Sequence, residues 1–403
     1  MIIRNLLILI LISPFAIYTI SEIKGTFDYT QVIEQLDMNA IKSHIIYLST
    51  IPSKQEPSRF TGYPGNKMAA EYIYNYLLEK DLKVQFENFT VTVPIDYGAN
   101  ITILDSKLGS KVIKAYPMLP NIVNPCPYVS PSSGDRLIYA GYADLKEFDG
   151  KEINGSIALV EFNSRWLWKN LVAFGAKAII FIEPEDTMRV QAEQKTFSIP
   201  INVPRLYVSR EDGVWLREMC NQQGSLRIYL KTQMTWENRV VSNIVGFIPG
   251  TNPSLDKEII VLAAHYDSYS IVPSISPGAT DALNIAVLLE LARYFSQNRP
   301  PRPAIFLATN GYWQGLMGGR NFIDNHFNEL GFKIKLFFNL DLCTDSDALA
   351  VIPKGSLFAY RLQPIETRFA WIRDRIFNNY IPTAQRNLQK FYNVLDGIYP
   401  ITP

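Results

Sequence analysis

The stretch from Glu258 to Arg293 constrains the fold more than any other part of the chain. It opens on an apolar run, Ile259-Ile260-Val261-Leu262-Ala263, that reads as a buried strand leading into Ala264-His265-Tyr266-Asp267. A turn at Pro277-Gly278-Ala279-Thr280-Asp281 then opens Ile285-Ala286-Val287-Leu288-Leu289-Glu290-Leu291-Ala292-Arg293, an amphipathic run at helical spacing. Further strands read at Ser242 to Phe247, Ala304 to Ala308 and Leu336 to Leu340, with the helix spanning Ala282 to Phe295. This alternation predicts an α/β layered domain, a mixed and largely parallel sheet flanked by helices. Ligands in such folds gather at the carboxyl ends of strands, where His265, Asp281, Asn310 and Asp341 all fall. Imidazole and carboxylate are donors for a divalent ion, and a neighbouring Asp fixes the imidazole tautomer. The 403 residues hold only three His, so one at this place carries weight.

The remaining chain sets bounds. A net charge of +1 with scattered basic residues gives no footprint for nucleic acid. The apolar content of 47% is that of a globular protein with room for two or three domains. At the N-terminus, Arg4 precedes an apolar run from Asn5 to Ile20, which predicts a signal peptide or signal anchor over residues 1–21. The body is then expected outside the cytoplasm, exported or membrane-anchored through that segment. Cys126, Cys220 and Cys343 are too few for a disulfide scaffold; a Cys126–Cys220 bridge and isolated thiols are both open. Asn88, Asn100 and Asn154 head glycosylation sequons of a number that chance also gives.

Helical spacing is expected over residues 36–48 and, behind a turn-rich loop from Ser58 to Asn66, through Met68, Ala69, Tyr72, Ile73, Tyr76 and Leu77. Lys83 to Val91 alternates as a strand. Composition shifts to Pro, Asn and Ser around 116–133, and the next hundred residues read as a small β-rich unit. Its strands are expected at Arg136 to Ala140, Ser156 to Val160, Ala178 to Ile182 and Val203 to Val208, with a helix from Asn170 to Lys177.

Taken together, these residues resemble the co-catalytic zinc exopeptidases of peptidase family 28, the aminopeptidase and glutamate-carboxypeptidase type. Ser58-Arg59 to Leu82 is similar to the family's N-terminal loop and helix. Ser242 to Thr251 is similar to the strand and turn before its metal site. The resemblance divides the chain into an N-terminal part of the peptidase-like domain (22–115), a protease-associated-like insert (116–235) and the α/β core (236–403). It implies that His265 ligates a metal, that Asp267 orients His265, that Asp281 is the bridging carboxylate and that Asp341 is a later ligand.

The same resemblance exposes departures. The family places two adjacent Glu before a Gly-Leu-x-Gly turn, present here as Gly315-Leu316-Met317-Gly318; those positions hold Tyr312 and Trp313. A phenol is a poor base at neutral pH, and an indole offers a metal no lone pair. After Asp281 the chain reads Ala282-Leu283-Asn284, where relatives have Asn then Ser-Gly. No His follows Asp341, so the last ligand is expected to be missing from a core incomplete at its C-terminus. Asp345 and Asp347 could substitute but read better as a solvated loop. Zinc is expected in one weak site at most, with no intact catalytic set. The family implies peptide hydrolysis; the residues imply a weak or inactive homologue. The alternatives are a non-catalytic, membrane-anchored binding or scaffold ectodomain of the nicastrin and nicalin kind, with a peptide or protein ligand, and a truncated gene product.

Overall fold

Apolar residues alternate between two buried faces in the strand Ile259–His265, and this double burial organises the structure. Leu262 and Ala264 join one core cluster, Ile259, Val261 and Ala263 another. A strand buried on both faces needs helices above and below it. The computed structural model describes residues 30–51, 58–105, 108–196, 201–272, 274–275, 278–331, 333–342, 348–351 and 393–396. The expected N-terminal signal or anchor, Cys343, Asp345, Asp347 and the segment where a last ligand was sought lie outside the described residues. Among the described residues, no helix is long and apolar enough to cross a membrane.

In chain order the elements are α1 (Thr30–Gln35), α2 (Met38–Thr50), α3 (Pro64–Glu79), β1 (Lys83–Ile103), β2 (Val112–Pro117), β3 (Tyr128–Val129), β4 (Asp135–Tyr139) and β5 (Ile157–Glu161). Then come α4 (Trp168–Ala173), β6 (Ala178–Ile182), α5 (Arg189–Thr196), β7 (Arg205–Val208), α6 (Arg210–Gln223), β8 (Leu226–Ile248) and β9 (Ile259–His265). The last are α7 (Ala279–Gln297), β10 (Ala304–Thr309), α8 (Met317–Leu330), β11 (Ile334–Leu340), β12 (Ala348–Val351) and β13 (Asn393–Asp396).

The main sheet is mixed and flanked by helices, as the alternation predicts. On one side β9 lies between β10 and β11, parallel to both, and β10 pairs antiparallel with β8. On the other, β4, β5, β6 and β7 run parallel in that order. The two long strands β1 and β8 join these halves, antiparallel from Lys83 opposite Phe247 to Ile103 opposite Ile228. Because β2 links β1 to β7 and β4 pairs with β8, the ladder of the second half closes on itself.

Three expectations change in detail. Ser242 to Phe247 is the last part of a 23-residue strand, not a separate one. The helix expected to reach Lys177 stops at Ala173, because Gly175 turns the chain at φ +87 against Asn154. Cys126 and Cys220 are both free buried thiols, in different core clusters, so the bridge left open by the sequence is not formed.

Helix α7 fixes the site. Every residue from Asp281 to Ala292 is buried, so the helix is enclosed rather than amphipathic at its centre. It packs with α2, α3 and the β9 face in one cluster; each fully buried Leu or Ile there contributes about 1.5–3 kcal/mol. That packing holds the first turn of α7 beside the end of β9.

Candidate metal centre

His265 is the last residue of β9 and is almost fully buried. Its Nδ1 lies 3.2 Å from the backbone oxygen of Asp267 and 3.5 Å from that residue's Oδ1. Its Nε2 lies 3.1 Å from the side-chain nitrogen of Asn284 on α7. Asn284 Oδ1 accepts from the Leu342 backbone N–H at 2.6 Å, which turns the amide N–H toward His265. In the neutral ring the proton then sits on Nδ1, and the Nε2 lone pair is used by Asn284. Burial lowers the pKa of His265, but the hydrogen bond and charge of Asp267, with Asp281 and Asp341, more than offset it and raise it overall.

Asp281 stands in the first turn of α7, where the helix dipole favours a carboxylate. Its Oδ2 accepts from the Tyr269 N–H at 2.8 Å, and its Oδ1 faces Arg189 Nη1 at 3.8 Å. Burial raises its pKa, with His265, Arg189 and Arg59 pulling the other way. Asp267, wholly buried, accepts on Oδ2 from Thr61 Oγ1 and from the Tyr312 N–H, both at 3.0 Å. Asp341 is exposed just past β11 and accepts from the Tyr312 hydroxyl at 2.8 Å.

Tyr312 stacks on the His265 ring at 4.1 Å between centroids, and Trp313 meets His265 edge-on at 6.2 Å. Burial, then the charge of Asp341, raises the Tyr312 phenol far above its ordinary value. It stays a neutral donor.

These two aromatics are placed by the turn before α8. Asn310 anchors it: its side-chain nitrogen donates to Asn66 Oδ1 at 2.8 Å and to the Tyr266 hydroxyl at 2.7 Å. Gly318 closes the turn; a Cβ there would lie 2.3 Å from the Asn310 carbonyl oxygen and 2.4 Å from Asn243 Oδ1.

The sequence-predicted residues His265, Asp267, Asp281, Tyr312 and Trp313 therefore meet in one cleft, with Asp341 at its edge through Tyr312. Three contributors were not among the expected site residues. Asn284 follows Asp281 by three residues on one helix face, a spacing that could have marked it. Arg59 is buried under the cleft, donating to the backbone oxygens of Tyr266 and Leu48, its pKa lowered by burial to about 10. Arg189 comes from α5, in a segment with no metal-ligand pattern, and no local signal points to it.

The donor set does not fit a divalent ion as it stands. The lone pair of His265 Nε2 is used by Asn284, Asp341 is held by Tyr312, Asp281 faces a guanidinium, and Trp313 supplies nothing. Among the described residues, no three His, Cys, Asp or Glu side chains group as a metal site.

Comparison with known proteins identifies the framework. The family model described as "Peptidase family M28" matches residues 243–387, which include every expected site residue. Residues 243–387 belong to peptidase family M28. Aminopeptidase YwaD of Bacillus subtilis is 30% identical over 211 residues, 51% of this chain and 43% of that protein. A vacuolar membrane protease of Schizophyllum commune is 37% identical over 115 residues, 27% of this chain and 12% of that one. The match thus spans less than half the length of these relatives. Among solved structures, a peptidase M28 precursor from Shewanella amazonensis aligns with a TM-score of 0.57 at 16% identity, covering 92% of this chain and 82% of that one. A zinc aminopeptidase from Bacillus subtilis aligns with a TM-score of 0.51 at 22% identity, covering 75% and 69%. These likenesses show the fold.

Proposed function

We propose that this chain is a non-catalytic member of its family, a binding or scaffold protein whose former metal cleft is cross-linked by its own side chains. The observation that carries the reading is the Tyr312 hydroxyl on Asp341 at 2.8 Å. The residue at the general-base position thereby engages an expected metal ligand, and its raised pKa removes it as a base. Trp313 at the neighbouring position packs edge-on against Tyr269 at 5.1 Å instead of offering a donor. A peptide or protein partner is the ligand class that suits such an aromatic-lined cleft. Residues 116–235 are read as an insert of the protease-associated type. The apolar segment before residue 22 is read as the export signal or membrane anchor, with the body outside the cytoplasm.

The second reading is hydrolysis by a metal-activated water, one weakly held zinc serving residual aminopeptidase activity. The observation that supports it is that the charges of Asp281 and Asp341 both act on the buried His265. A panel of aminoacyl reporter substrates separates the two. The non-catalytic reading expects release by the full chain to equal that of His265→Ala. Turnover that disappears in His265→Ala and with chelator would establish the enzyme.

A further inference from the structure

We infer that Arg189 is the built-in counter-cation of this cleft, supplying from the insert the positive charge that a metal would otherwise bring to Asp281. The inference rests on the reading of the cleft as free of metal.

Charge balance makes the case. Two carboxylates, Asp267 and Asp281, are 0% and 5% exposed, a burial that is costly unless the charge is compensated. Besides His265, two guanidinium groups act on this pair. Arg59 is buried beneath the cleft, and its positive form is favoured by both Asp281 and Asp267. Arg189 Nη1 lies 3.8 Å from Asp281 Oδ1. Its guanidinium carbon sits 5.8 Å from the Trp313 ring centroid, so the residue at the lost ligand position holds the cation that stands in for the ion. Glu193, one turn along α5, fixes the guanidinium through Nε at 2.8 Å. Asp281 and Glu193 together offset the burial of Arg189 and raise its pKa.

The geometry also ties two parts of the chain together. Arg189 opens α5, whose Thr196 hydroxyl bonds the Tyr269 hydroxyl in the loop between β9 and α7. The Tyr269 N–H in turn donates to Asp281. Helix α5 is therefore latched over the cleft at both ends, and Arg189 is a positioning residue of that latch. Its neighbours Met188 and Val190 are exposed, so the strand-to-helix approach is shaped by Arg189 and not by apolar burial at those positions.

A double-variant cycle on the full chain tests this, read by melting temperature and by amide hydrogen exchange across residues 189–196. Arg189→Ala is expected to lower Tm by several degrees and to speed exchange in α5. Adding Asp281→Asn should restore most of the lost Tm, because the buried carboxylate that Arg189 faces is then gone. Arg189→Lys, which keeps the charge, should retain most of the Tm. Asp281→Asn alone should speed exchange in α5 with the fold intact, which keeps the test decisive should Arg189→Ala fail to fold. Additive losses in the cycle, or unchanged α5 exchange in Asp281→Asn, would overturn the inference. Tight zinc binding by the unchanged chain would instead refute the metal-free reading, and the cycle would still report on Arg189 separately.

Discussion

At the scale of single residues, the clearest pH response lies away from the cleft. His44 on α2 is buried against α3, its Nδ1 2.6 Å from the Tyr72 hydroxyl and its ring edge-on to Tyr76 at 4.5 Å. Burial, with Lys80 adding to it, lowers its pKa from 6.5 to about 4. The folded state therefore binds its proton later than the unfolded state does. This contribution to stability is complete above pH 6.5 and is lost as pH falls toward 4. Between pH 7 and pH 5 the loss should be about 2 kcal/mol. Urea unfolding of the full chain at the two pH values, compared with His44→Gln, checks this: the variant should show a smaller fall by that amount. The cleft residues divide by how far their partners lie. His265, Asp267, Asp281, Tyr312 and Trp313 could be read as one group because each sits at a recognisable strand end or turn. Arg189 could not, because its role depends on α5 folding back from a segment 92 residues before Asp281, and side-chain charge alone does not encode that return.

At the scale of elements, periodicity found what is locally determined and missed what pairing decides. β9, α7, β10 and β11 were legible within a few residues because each carries its own apolar pattern. β1 and β8 were legible only in part, at Lys83 to Val91 and Ser242 to Phe247, since Pro94 interrupts β1, the centre of β8 is polar, and their full length is set by pairing with each other. The turn into α8 offers a sharp test of local packing. Gly318 and Gly319 are adjacent helical residues, yet a Cβ on Gly318 meets backbone at 2.3 Å and one on Gly319 meets nothing within 4 Å. Gly318→Ala should cost about 3 kcal/mol or more by displacing Asn310 and with it Tyr312. Gly319→Ala should stabilise by about 0.5–1 kcal/mol through helix propensity alone. Chemical denaturation of both variants decides it; equal effects would show that the turn gives way without strain.

At the scale of the whole molecule, the composition shift near residues 116–133 suggested a separate unit, and no sequence signal announced that it shares strands with the core. β1 contributes Phe89 and Val91 to one cluster and Ala99 and Ile101 to another, and β8 likewise runs from Leu226 to Ile248. With two strands common to both halves, neither half can unfold without breaking the ladder of the other. Fluorescence and far-ultraviolet circular dichroism should therefore report a single coincident unfolding transition; two separated midpoints would show independent halves. The same continuity carries Arg189 of α5 to the cleft and lets the cleft be closed from within. Zinc titration of the 403-residue chain by calorimetry decides whether its own side chains close the metal site. The donors engaged by Asn284, Arg189 and Tyr312 predict less than one equivalent of zinc, weakly bound. Two zinc ions held tightly per chain would contradict it.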